Sequence, residues 1–190
     1  HIRAADWGSL GFAQGWACAR DHLPTLADQV VKVRSERARF HGAGPDGGHV
    51  ASDLGYLALG VTDRAPSLRA AQDAQTREVI SGYVAGINAH LGEARAAGSL
   101  PPWCADAPWI RPISELDYYA YVVDIGLLAS GRNLVGVLGR AEAPGPDGPV
   151  PPSPMSALGG APEAASNGWA FGREATASGH GVVVANPHFP

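Results

Sequence analysis

The 190 residues carry a formal charge of −4 and are 45 % hydrophobic, enough apolar chain for one domain of ordinary size with a real core. That acidic balance, without any cluster of Lys or Arg, argues against a nucleic-acid partner. No apolar run reaches the ~18 residues needed to span a membrane.

From the N-terminus, His1 to Asp6 read as the tail of a strand. Gly8 to Asp21 carry Leu10, Phe12, Trp16 and Ala17 at mixed helical spacing, with Gly11 and Gly15 permitting close approach of another backbone. Asp21 offers an N-cap for a second, amphipathic helix. Pro24 fits its first turn, Leu26, Val30 and Val33 form its apolar face, and Lys32, Arg34, Glu36, Arg37 and Arg39 its charged face. That helix is expected to end near His41-Gly42. A loop follows, then a short helix from Ser52 to Gly60. Ser67 is placed to cap a long helix reaching Ala97, with Val79, Ile80, Tyr83, Val84, Ile87 and Leu91 along one stripe. Glycines inside a helix cost roughly 1 kcal/mol each against Ala, so close packing is the reason expected for Gly82 and Gly86.

Pro101 to Pro112 form an irregular, aromatic-bearing connection. Ser114 and Asp117 make an acidic variant of the capping box and open a helix from Glu115 to about Ser130. Apolar residues cover most of its circumference, so it is expected to be buried. The run from Ala143 through Pro154 is too rich in Pro for helix or sheet and reads as an exposed linker, continued by small residues to Ala165. The end of the chain reads as a β-hairpin. Its first strand runs from Gly168 to Arg173, its turn is Thr176 to Gly179, and its second strand is Gly181 to Ala185, with Val182-Val183-Val184 buried. A turn centred near Ala177 sets Ser166 opposite His188, where side chains meet at roughly 4.5–5.5 Å between Cβ atoms.

Two features leave alternatives open. Cys18 and Cys104 either form one bridge or remain two buried thiols. His41, His49, Asp46 and Asp53 have no metal-ligand spacing, so no metal is expected there; no phosphate-cradling loop is present and no cofactor is expected.

The run Ser166-Asn167-Gly168-Trp169-Ala170, followed after the hairpin by Ala185-Asn186-Pro187-His188-Phe189-Pro190, resembles the start of the catalytic chain in penicillin acylase-type N-terminal nucleophile hydrolases. The subgroup it resembles contains aculeacin A acylase and acyl-homoserine lactone acylases. Asp21-His22-Leu23, the segment from Ala27 to Arg37 and the helix from Gly82 to Leu91 are similar to the family's early helices. The resemblance implies an α+β fold in which this chain is a fragment of an αββα sandwich. Residues 1–142 would form a mostly helical light-chain region, 143–165 a spacer peptide, and 166–190 the first hairpin of the catalytic chain. It also implies an internal piece of a longer precursor, exported to the periplasm or secreted, although no signal peptide stands in this stretch.

The chemistry implied is amide hydrolysis. A serine is a weak nucleophile until a base takes its proton. Once the Ala165–Ser166 bond is broken, Ser166 carries its own α-amino group, whose pKa of about 7.7–8.0 leaves a neutral fraction near pH 7. One residue is then nucleophile and base. By resemblance His188 positions that amine or its water, Asn167, Trp169 and Asn186 fix the motif, and Tyr121, Ile125 and Leu128 line an acyl pocket. The oxyanion hole is expected beyond Pro190. The partners implied are a small-molecule N-acyl substrate, of long-chain type, and the light and heavy chains of one precursor. Two alternatives stand beside this reading: a β-lactam acylase, and a non-catalytic helical binding module that leaves Ala165–Ser166 intact.

Overall fold

The computed structural model describes residues 1–128, 130–142 and 167–186. The first helix, α1 (Trp7–Val33), starts where the carboxylate of Asp6 accepts the amide of Ser9 at 2.6 Å. The expected strand at residues 1–6 is absent, because Asp6 ends that segment as an N-cap. Asp21 caps nothing; it lies inside α1, paired with the neighbouring Arg20 at 2.8 Å. What reads as two helices is one helix kinked at His22 (φ −139°, ψ 20°), two residues before Pro24. Proline there removes the amide that would bond to the carbonyl of Arg20.

The helix stops at Val33 rather than near His41, since Arg34 caps it and Ser35 takes a positive φ of 57°. A short helix, α2 (Arg37–His41), follows, and the carboxylate of Asp53 accepts its amides from Arg37 (3.0 Å) and Ala38 (2.8 Å). Asp53 sits on α3 (Gly48–Leu59), which Gly60 terminates at φ 59°. Ser67 starts no helix: it lies within α4 (Val61–Ala71). The long helix begins afresh as α5 (Ala74–Ala96), where Asp73 accepts the amide of Thr76 at 2.6 Å and so separates the two.

Helices α1 and α5 touch backbone to backbone. A Cβ on Gly11 or Gly15 would overlap the carbonyl of Val79 or Tyr83, and one on Gly82 or Gly86 would overlap that of Gly8 or Phe12. The close approach expected of these glycines is therefore what the fold contains. Around this seam Ala19, Leu23, Ile87 and Leu91 form one core with Cys104 and Ile110. A second core joins Val33 of α1, Tyr56 of α3 and Val61 of α4 to Tyr119 and Ala120. Both cysteines are free thiols, Cys104 buried and Cys18 half-buried.

The last long helix, α6 (Glu115–Gly126), opens with the expected capping box: Ser114 Oγ accepts the Asp117 amide at 3.2 Å and Asp117 accepts the Ser114 amide at 2.6 Å. It ends four residues before Ser130, the chain tightening through Leu127 and Ser130 amides bonded back to Val123 and Leu127 carbonyls. A 3₁₀ turn and α7 (Val135–Leu138) follow. The helix is not buried all round, as its Leu116 and Ile125 are exposed.

Asp117 also takes a bidentate pair from Arg34, at 2.5 Å to each oxygen. Burial alone would raise its carboxyl, but Arg34 and Ser114 outweigh that and hold it below its ordinary 3.8. A depressed folded-state carboxyl contributes stability above its unfolded pKa and loses it as pH falls through the folded one. Asp117→Asn is therefore expected to cost about 2 kcal/mol at neutral pH. It should also flatten the loss of stability below about pH 4, measured by urea unfolding across pH 2–7.

The hairpin pairs β1 (Asn167–Phe171) with β2 (Val182–Asn186) in antiparallel register, Asn167 opposite Asn186 and Trp169 opposite Val184. Each strand is displaced by a residue or two from its expected span. The register differs by one residue from a turn centred at Ala177, because a 3₁₀ turn at Arg173–Ala175 and Gly179 (φ 67°) shape the connection. The valine run is not buried: Val183 is 73 % exposed. Among the described residues the sheet has two strands, so neither face gains a covering layer from within it.

Candidate active site

The expected nucleophile, cleavage position and imidazole (Ser166, Ala165 and His188) lie outside the described residues, as does the linker 143–165. What is described is the frame beside them. Asn167 and Asn186 pair at the hairpin end opposite the turn. Trp169 stands two residues along β1, exposed, with its partner Val184 also exposed.

Of the acyl-pocket candidates, Tyr121 and Ile125 lie one turn apart on α6, and Leu128 stands in the turn just past its end at Gly126. Tyr121 is half-buried and closes, with Leu26, Val30, Tyr83 and Ile113, a small apolar recess. Ile125 and Leu128 are 47 % and 39 % exposed. They are apolar side chains without cover among the described residues, available to a neighbouring chain segment or ligand.

Next to these residues lies a charged cluster that the sequence reading missed. Lys32, assigned there to the solvated face of an amphipathic helix, is 4 % exposed. Both α3 and α6 cover its side of α1, which local periodicity cannot reveal. Its ammonium lies 2.7 Å from Asp124 Oδ2, and Tyr56 donates its hydroxyl to Asp124 Oδ1 at 2.7 Å. Arg132, just past α6, approaches the same carboxylate at 3.5 Å. Gln29 accepts from Lys32 at 2.5 Å. Burial pushes the Lys32 ammonium down against the pull of Asp124. Burial first, then the bond to Asp124, pushes the Tyr56 phenol far up, so it remains a neutral donor. The only sequence signal was that Lys32 is the sole lysine of a chain whose other cations are arginines.

Among the described residues no group of His, Cys, Asp and Glu could hold a metal ion. His41 lies 3.7 Å from Asp28 and edge-on to Trp109, while Asp53 is occupied as the cap of α2.

The sequence pattern of a penicillin amidase matches residues 1–190. The chain belongs to the penicillin amidase family. It is 34 % identical over its full length to the aculeacin-A acylase of Actinoplanes utahensis. To the acyl-homoserine lactone acylase PvdQ of Pseudomonas putida it is 36 % identical, again over its full length. The chain spans 26 % of the length of each of these relatives. A thermostable penicillin G acylase from Alcaligenes faecalis superposes at a TM-score of 0.57, covering 80 % of this chain and 92 % of its own, at 20 % identity. That last likeness is one of fold alone, and it agrees with a mostly helical chain ending in a two-stranded sheet. Both curated relatives are named as acylases.

Proposed function

We propose that this chain supplies the light-chain region and the nucleophile of a self-processing acylase that hydrolyses N-acyl amides. The observation that carries the reading is the pairing of Asn167 with Asn186, one residue from each motif, within a chain matched throughout by the penicillin amidase family. In maturation the Ser166 hydroxyl attacks the Ala165 carbonyl carbon. The C–N bond breaks as the amine leaves, and water opens the resulting ester to give the Ala165 carboxylate and a free Ser166 amine. In turnover that amine takes the hydroxyl proton through a water, the oxygen attacks the substrate carbonyl, and the protonated leaving amine departs. Water then releases the acid and restores the serine. His188 positions the amine, and Tyr121, Ile125 and Leu128 hold the acyl chain.

Relatives named for acyl-homoserine lactones and for aculeacin A support a long-chain acyl substrate over phenylacetyl penicillins. Export is part of this reading by family resemblance; no single helix among the described residues is long and apolar enough to cross a membrane. Expressed from its full-length gene, the protein is expected to give two chains by intact mass, the heavier beginning at Ser166. It should hydrolyse a decanoyl amide faster than penicillin G. A single uncut chain sinks self-processing, and the reverse substrate preference replaces this reading with a β-lactam acylase.

A further inference from the structure

We propose that the buried Asp124, together with Lys32, Tyr56 and the partly exposed Arg132, is a positioning device that sets acyl-chain selectivity by fixing the last turn of α6. The inference rests on the reading of Ile125 and Leu128 as pocket wall.

Asp124 is 1 % exposed and lies in the final turn of α6. The C-terminal end of a helix already carries partial negative charge, so a buried carboxylate there is unfavourable unless cations answer it. Two do: Lys32 from α1 at 2.7 Å and Arg132 from the following turn at 3.5 Å. The Tyr56 hydroxyl, from α3, supplies a neutral donor at 2.7 Å. An apolar residue would fill this space at lower cost, since buried ion pairs are often no more stable than well-packed hydrophobic replacements. What an apolar contact lacks is direction. Two cations and one hydroxyl donor, on three separate elements, converge on one carboxylate and set the rotation of α6 about its own axis.

That rotation bears on the exposed face. Ile125 follows Asp124 directly, and Leu128, two residues past the helix end, is tied to it by its amide bond to the Ile125 carbonyl at 3.0 Å. With helix side chains reaching ~5–6 Å from the axis, a 20° roll moves their tips by about 2 Å, more than one carbon–carbon bond. A wall displaced by that much would accept a chain of different length. The cluster therefore acts through Ile125 and Leu128 rather than by touching substrate.

The test uses the full-length, processed protein. Tyr56→Phe removes only the hydroxyl, and Arg132→Gln changes a side chain 36 % exposed, so at least the second is expected to fold. For each protein, kcat/KM is measured on an N-hexanoyl and an N-dodecanoyl amide. The ratio of the two is expected to shift at least about fivefold in each variant, the size of one methylene's discrimination or less. The double variant should shift no further than the larger single one, because both act through Asp124. A ratio within twofold of wild type in both single variants, whatever their melting temperatures, overturns the proposal and leaves the cluster a structural pin. Wild-type protein that hydrolyses neither amide overturns the acylase reading itself. That failure is seen before any variant is made.

Discussion

Full-length protein carrying Ser166→Ala is expected to remain one chain and to lose turnover by about six orders of magnitude, the scale seen when a hydrolase nucleophile is removed. Two losses combine. Without the hydroxyl no acyl shift from Ala165 occurs, so the amine at residue 166 stays locked in a peptide bond. Without the free amine there is also no base, even if another hydroxyl were near. Ser166→Cys separates these. A thiol can attack the Ala165 carbonyl, so the Cys protein is expected to be cut into two chains while its amidase rate drops, because the sulfur is matched to a different geometry. The base predicts a pH limb. A protonated amine cannot accept the hydroxyl proton, so kcat/KM is expected to fall as pH drops below about 7.7–8.0. Wild-type activity in an uncut chain, or an Ala protein that is cut and active, would move the nucleophile elsewhere.

Two glycines of α5 are expected to respond to the same substitution with opposite signs. Helix propensity alone gives Ala an advantage of roughly 1 kcal/mol over Gly. At Gly92 no atom lies within 4 Å of the added Cβ, so Gly92→Ala should stabilise by about 0.5–1 kcal/mol. At Gly82 the added methyl overlaps the Gly8 carbonyl and crowds the Phe12 amide. Backbone cannot swing aside as a side chain can, so the two helices must separate, and overpacking of this kind costs about 3 kcal/mol. The penalty exceeds the propensity gain, leaving Gly82→Ala about 2 kcal/mol less stable. Urea midpoints of the intact protein check both, and equal shifts at the two positions would mean that the seam yields.

These cases show what the sequence made legible. The capping box of Ser114 and Asp117 and the glycine spacings 11/15 and 82/86 are local patterns with one physical meaning, and the structure contains them as read. The helix starts were less clear because several residues could cap. Asp21 and Ser67 offered side chains as suitable as those of Asp6 and Asp73, and only tertiary packing selects between them. The burial of Lys32 was not legible, since its partner Asp124 lies 92 positions along the chain. The hairpin was legible in kind but not in register, where one residue in the turn decides the pairing. The motif residues pointed to Ser166 and His188, and the structure contributes the paired strands next to them. The charged cluster beneath the α6 face had no motif at all.

The ion pairs of α6 imply an uneven response to ionic strength. At its first turn Glu115 meets Arg69 at 2.8 Å with both side chains open to water in part, whereas at its last turn Asp124 and Lys32 are sealed from solvent. Raising salt from 0.15 to 1 M shortens the screening length from about 8 to 3 Å, which weakens the hydrated pair and leaves the sealed one nearly untouched. Amide hydrogens around Leu116 should then exchange faster in brine while those near Ile125 hold their protection. The front end would then rest on its capping box and the Arg34–Asp117 pair, one of its ties weakened, while the rear turn keeps all of its own.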